Sequence, residues 1–297
     1  MSNHPTEHSL VLLMEITVVS APEQIKPSVW QRSSWWAKVW NYLSIQAWGK
    51  LPAQRQRSIS ASYARIYDQP WSRHIITPYC WWHYPEKNYL DQFKPPNGKA
   101  SFETFQDFFT REFIDAPQPQ SPWAWPCEGT LCHLGEVAEI PHSNVKGDIR
   151  TVEQIFGLEV GDIPSDYHFS NVFLHNKNYH RIHAPVSGRI TRIQHIPEEL
   201  VILRPWIYKE NPSVPAFRNE RINIDIEDID GHTWYLSIVG GPAVGTIELP
   251  ERIQLGATVD LLEELAVFYL GSTCCMAAPV KSYAYESYTE VEMGMPY

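Results

Sequence analysis

The chain has 297 residues, 43% hydrophobic and 20% charged, the balance of a folded globular protein and not of a disordered one. Its net charge of −10 argues against a general nucleic-acid binder, which carries a basic surface. The five cysteines, Cys80, Cys127, Cys132, Cys274 and Cys275, form neither a disulfide framework nor a zinc-ligand spacing, which points to a reducing compartment.

No segment is long and apolar enough to span a bilayer. The run Leu10 to Met14 is cut by Glu15 and has no basic start, so it does not read as a signal peptide. Residues 1–27 read as a variable extension, and residues 28–115 as a helical, membrane-associating region. Trp36, Val39, Trp40, Leu43 and Ala47 recur at helical spacing. Lys26, Arg32, Lys38, Lys50, Arg55 and Arg57 occur there with no acidic residue between the first and the last. A basic, Trp-rich amphipathic helix suits an anionic lipid surface. The plainer alternative is a helix packed on its own domain. Further along, Ser101 is placed to cap a helix over the Phe-rich stretch to Phe109. Pro-rich residues 116–126 end the helical region.

Strand patterning then takes over, in a β-rich core over 116–297. Arg189–Ile193, Ile222–Ile226 and Trp234–Ile238 alternate or are rich in β-branched and aromatic residues. Asp230-Gly231 between the last two is a hairpin signal. The expected fold class is α+β, with an N-terminal helical region packed on a mainly antiparallel β core.

Two stretches carry chemistry. In Asn178-Tyr179-His180-Arg181-Ile182-His183-Ala184-Pro185, the histidines admit three readings: a metal pair, an acid/base pair, or ordinary surface residues. No third ligand stands nearby, so no metal is expected. On a strand this spacing puts the rings on opposite faces, which suits different jobs. In Leu270-Gly271-Ser272-Thr273, the plain reading is a turn. The chemical reading is that Gly271 leaves room for Ser272 Oγ to attack the Gly271 carbonyl. That step needs a base, for which His183 is a candidate, and an orienting carboxylate.

Six motifs in order resemble those of the phosphatidylserine decarboxylase family. They are Phe105–Phe113, Lys146-Gly147 with Val152–Gly157, Tyr179–Gly188, Asn219–Arg221, Val239–Gly245 and Leu270–Thr273. The resemblance covers about residues 43 to 280. It implies that an acid-His-Ser triad cuts the chain between Gly271 and Ser272. Ser272 would become a pyruvoyl cofactor on the shorter, C-terminal chain, and the longer N-terminal chain would stay with it. The ketone would form a Schiff base with the substrate amine and accept electrons as carbon dioxide departs. His183 corresponds to the triad histidine, and His180 to a second histidine linked with decarboxylation. The family usually has Ser-Pro-Ala-Asp-Gly where this chain has Trp125-Pro126-Cys127-Glu128-Gly129. Glu128 therefore stands where the triad Asp is expected.

The expected activity is conversion of phosphatidylserine to phosphatidylethanolamine, by a homodimer peripheral to the cytoplasmic face of a membrane. The alternatives are pyruvoyl-dependent decarboxylation of a soluble amino acid, or a non-catalytic lipid-binding relative.

Overall fold

The computed structural model describes residues 39, 42–84, 89–208, 211–242, 247–269, 271–282 and 285–297. The expected extension over 1–27, and Trp36 and Trp40 of the expected basic helix, lie outside them. Among the described residues, no helix is long and apolar enough to cross a membrane.

After a π-helical segment over Tyr42–Ala47 and a 3-10 turn over Trp48–Lys50, two α-helices follow, α1 (Ala53–Tyr67) and α2 (Arg73–His83). α1 is anchored through polar residues. The fully buried Gln56 donates to the carbonyls of Trp48 and Leu51 and accepts from the Leu200 amide at 2.7 Å. Arg57 pairs with Glu220 at 2.8 Å. This base, one of the six read as facing lipid, is therefore engaged by the protein itself.

The short helix α3 (Phe105–Phe109) is capped by Thr104, not by Ser101. Thr104 Oγ1 accepts from the Asp107 amide at 3.1 Å, and the Asp107 carboxylate accepts from the Thr104 amide at 3.2 Å. That reciprocal pair needs an acid three residues after the cap, which Thr104 has and Ser101 lacks. Phe105, Phe108 and Phe109 pack with Tyr67, Ile75 and Tyr79, joining the three helices. Two-residue strands β1 (Phe93–Lys94) and β2 (Glu112–Phe113) pair antiparallel around α3.

The core runs from β3 (Gly129–Glu136) onward. A small hairpin of β4 (Ser143–Val145) and β5 (Asp148–Arg150) stands apart from it. β6 (His168–Leu174), β7 (Arg181–His183) and β8 (Gly188–Ile196) follow. After helix α4 (Val214–Arg218) come β9 (Arg221–Asp228) and β10 (Thr233–Gly240). β11 (Ile247–Glu248), β12 (Thr258–Val259), β13 (Glu264–Phe268), β14 (Ser272–Ala278) and β15 (Glu290–Val291) complete the order. The main sheet has eight strands in the order β12-β8-β9-β10-β14-β6-β3-β15, and β11-β13-β7 form a second sheet. Each pairing within them is antiparallel. The α+β expectation holds.

The hairpin between β9 and β10 turns at Asp230-Gly231. Gly231 takes φ +81°, and the Asp228 carboxylate accepts from the Asp230 and His232 amides. β14 is buried along its whole length. Cys274, Met276 and Ala278 face one core, and Cys275 and Ala277 the other. A strand covered on both faces carries an apolar run instead of an alternation. Trp125 and Trp234 are fully buried in the first core, whereas Trp71, Trp81 and Trp82 are exposed on the helical side.

Candidate active site

Ser272 opens β14, between Leu174 of β6 and Gly240 of β10. The register thus places it in the middle of the main sheet. Its side chain is fully buried, and its Oγ has no hydrogen-bond partner. Leaving a buried hydroxyl unpaired costs about 1–3 kcal/mol, so its position calls for an explanation. Gly271 adopts φ +53°, in the left-handed region that favours glycine. Beside it, Gly241 keeps the backbone open: a Cβ there would sit 2.5 Å from Leu203 Cδ1 and 3.5 Å from the Gly271 carbonyl oxygen.

The two histidines lie at the start and the end of one short stretch, in different surroundings. His183, in β7, donates from Nδ1 to the Leu262 carbonyl at 2.7 Å. Burial lowers its pKa, against the Leu262 carbonyl and Glu264, which raise it. In the neutral ring Nε2 is then the bare, basic nitrogen. It accepts from the Tyr179 hydroxyl at 3.1 Å. His180 donates from Nδ1 to the Asn178 carbonyl at 2.8 Å. Its Nε2 is buried without a partner, and its ring centroid lies 3.8 Å from that of Phe109. Burial holds its pKa down at about 3. Both rings therefore present an unprotonated Nε2, but only that of His180 is unoccupied.

Glu128 stands at the entry to β3. Its Oε1 accepts from Asn178 Nδ2 at 2.8 Å and from the Tyr179 amide at 2.9 Å. No hydrogen bond joins Glu128 to His183, nor either histidine to Ser272 Oγ. The carboxylate acts instead on the turn that holds both rings, because Asn178 carries the acceptor for His180 and Tyr179 the hydroxyl on His183. Arg111 supports the same turn from the helical side. Its buried guanidinium donates to the Lys177 carbonyl at 2.9 Å and to the Tyr89 hydroxyl at 3.0 Å. It lies 4.6 Å from the Phe93 ring centroid, a cation–π arrangement that lowers the cost of burying the charge. Glu292 is also near, its pKa raised by burial and by Glu128.

The candidate residues not singled out from the sequence are Asn178, Tyr179, Arg111 and Gly241. Arg111, Tyr179 and Gly241 lie within motifs that carry the resemblance and Asn178 directly precedes one, so the motif order signalled the segments. The individual roles depend on side-chain directions that spacing does not give.

A cleft of about 560 Å³ reaches Gly271 from the helical region. α1 and α2 supply Ile59, Tyr63, Ile75 and Tyr79, and Phe105 and Phe173 add aromatic surface. An apolar cleft with few polar groups is the common form of a small-molecule site. Here it ends at the peptide bond expected to be cut.

The Phosphatidylserine decarboxylase family matches residues 105–296. The chain is similar to the phosphatidylserine decarboxylase proenzyme of Polaromonas naphthalenivorans (strain CJ2), with 31% identity over 204 residues. The match spans 61% of this chain and 70% of that relative. The proenzyme of Delftia acidovorans (strain DSM 14801 / SPH-1) is 28% identical over 62% of this chain and 71% of its own length. The proenzyme of Psychrobacter cryohalolentis (strain ATCC BAA-1226 / DSM 17306 / VKM B-2378 / K5) is 27% identical over a wider 78% of this chain and 83% of its own.

Proposed function

Because the chain belongs to the phosphatidylserine decarboxylase family, we propose that it is a self-processing carboxy-lyase that converts phosphatidylserine to phosphatidylethanolamine and carbon dioxide. The observation that carries the reading is the buried, unpartnered Ser272 Oγ directly after a left-handed Gly271. A hydroxyl with no competing partner is available to attack the adjoining carbonyl. A pyruvoyl group at residue 272 fits this position, because it needs no more room than the serine it replaces. That group would supply a ketone for the substrate amine and a sink for the electrons released with carbon dioxide.

In the proposed cleavage, a base takes the Ser272 hydroxyl proton and Oγ attacks the Gly271 carbonyl carbon. The Gly271–Ser272 C–N bond breaks, leaving an ester to Oγ and a free amine on residue 272. Loss of the Ser272 α-proton then expels the Gly271 carboxylate, and water replaces the amine nitrogen as ammonia. His183 is the proposed base, held in the required tautomer by the Leu262 carbonyl. Tyr179 must release its Nε2 for the proton to be taken. His180 is proposed to move a proton in the decarboxylation step, through its unoccupied Nε2. Glu128 is a positioning residue for both, through Asn178 and Tyr179.

The substrate is a membrane lipid, and the helical side carries a surface suited to it. Ile59, Tyr63 and Ile66 form an exposed stripe on α1, and Trp81 and Trp82 of α2 are 80% and 76% exposed. Exposed tryptophans among basic residues favour a bilayer interface. Peripheral attachment on the cytoplasmic face, and a homodimer, are carried over from the family resemblance.

Intact mass spectrometry of the purified chain tests the proposal. The expected result is a split between residues 271 and 272 with a pyruvoyl-blocked C-terminal piece, and one uncut chain for Ser272→Ala. Normal cleavage of Ser272→Ala would end the reading. Normal cleavage of His183→Ala together with a stalled His180→Ala would exchange the two histidine roles.

A further inference from the structure

In the uncut chain, the nitrogen proposed to take the Ser272 proton is already occupied. His183 Nδ1 donates to the Leu262 carbonyl at 2.7 Å, which leaves the ring's lone pair on Nε2. The Tyr179 hydroxyl donates to that lone pair at 3.1 Å. Ser272 Oγ has no hydrogen-bond partner. The nucleophile is thus unengaged, while its base is engaged by a third residue.

Tyr179 is fixed at both ends. Its amide donates to Glu128 Oε1 at 2.9 Å. Its ring is buried and lies, between centroids, 4.5 Å from Phe113, 6.0 Å from Phe93 and 5.7 Å from His183. Phe93 and Phe113 are cross-strand partners in β1 and β2, so the chain before the β core supplies the seat of this ring. Burial is the largest influence on the hydroxyl and raises its pKa above the usual tyrosine value. It therefore remains a neutral donor at neutral pH.

We propose that Tyr179 is a latch on His183, whose hydroxyl must leave Nε2 before self-cleavage can begin and so slows it. The Ser272 proton then passes to the freed Nε2 as Oγ attacks the Gly271 carbonyl carbon. This deepens the self-processing reading and rests on His183 as the cleavage base. Tyr179 acts through His183 and is a positioning residue, not a catalytic one. The obstacle it adds is one net hydrogen bond, which corresponds to about threefold to tenfold in rate.

Tyr179→Phe removes the hydroxyl and keeps the ring against Phe93 and Phe113. One measurement follows the uncut band over time after cell-free synthesis of the full chain. Tyr179→Phe should cleave about threefold to tenfold faster than the parent, with a Tm near the parent's. His183→Ala should stall, and adding Tyr179→Phe to it should restore nothing. A merely structural tyrosine would leave cleavage unchanged or slower on replacement. A second measurement needs no cleavage. Nitrogen-15 NMR of labelled histidines in the uncut Ser272→Ala protein, at a pH where His183 is neutral, reads the contact directly. Comparison with His183→Ala identifies the ring's signals. Adding Tyr179→Phe should move the Nε2 resonance towards that of an unbonded ring nitrogen, with Nδ1 still protonated. An unmoved resonance would overturn the latch. Tyr179→Phe cleaving no faster than the parent while His183→Ala stalls would also overturn it and leave His183 as the base. Acceleration that persists without His183 would show that Tyr179 does not act through that ring, with the same consequence. His183→Ala cleaving at the parent's rate would overturn the base assignment, and the latch with it.

Discussion

Glu128 shows how much a single side chain organises here. It accepts two hydrogen bonds from consecutive residues, Asn178 and Tyr179, at 2.8 and 2.9 Å. Bonds to a charged acceptor contribute about 1.5–3 kcal/mol each. Glu128→Ala should therefore loosen the turn that orients both histidines and slow the appearance of cut chain about tenfold or more. A time course of the uncut band on a denaturing gel measures this, and Glu128→Gln, which keeps an acceptor oxygen, should fall between. His180 gives a pH prediction at the same scale. Burial takes its pKa down to about 3, against about 6.5 for the unfolded chain. Below about pH 6.5 the unfolded state takes up a proton that the native state refuses, so stability falls as pH drops towards 3. It is fully present above pH 6.5. His180→Phe keeps an aromatic ring beside Phe109 and removes the titration. Its Tm should fall less steeply between pH 6.5 and 4 than that of the parent, as calorimetric scans would record.

At the scale of elements, close strand approach explains why glycines recur inside the motifs. A Cβ on Gly188 would sit 2.3 Å from the backbone carbonyl oxygen of Glu227, the residue next to its partner Asp228 across the β8–β9 ladder. Backbone cannot swing aside as a side chain can. Gly188→Ala should cost about 1–3 kcal/mol and lower Tm by several degrees, a loss that thermal unfolding would show. Gly271 differs, because the nearest atom to its added Cβ is Asn176 Oδ1 at 3.9 Å. Gly271→Ala therefore meets no clash, only the left-handed backbone, at about 1–2 kcal/mol. The fold should survive while cleavage slows, a result that mass spectrometry and Tm together would separate from misfolding.

Over the whole molecule, charge and aromatic surface are unevenly shared. The chain carries −10 overall, yet residues 42–84 hold Lys50, Arg55, Arg57, Arg65 and Arg73 against Asp68 alone. Exposed Trp71, Trp81 and Trp82 lie in the same segment, whose helices also line the cleft to Gly271. The proposed bilayer contact would thus use a basic, aromatic face whose helices line the cleft that reaches Gly271. Replacing Trp81 and Trp82 together by Ala should cut binding to phosphatidylserine vesicles about tenfold or more. Tm should hardly change, because both rings are outside the core. Co-sedimentation with vesicles would show the loss, and unchanged binding would move the contact elsewhere.

What the sequence by itself determined was order and period. Helical spacing came first, strand alternation followed, the Asp230-Gly231 turn was explicit, and six motifs in series identified the family. These signals are local, so residues close in the chain carry them. The cap of α3 was misplaced by three residues because both Ser101 and Thr104 cap well, and the partner Asp107 decides between them. Tertiary structure alone decided the rest. It set Glu128 on the Asn178–Tyr179 turn and left the hydroxyls of Ser60, Tyr79 and Ser272 unpaired. It also assigned Arg57 to Glu220, a partner 163 residues away. Each of these depends on which side chains meet across the sheet and the helices. Spacing along the chain fixes the face a residue occupies, but not what packs against it.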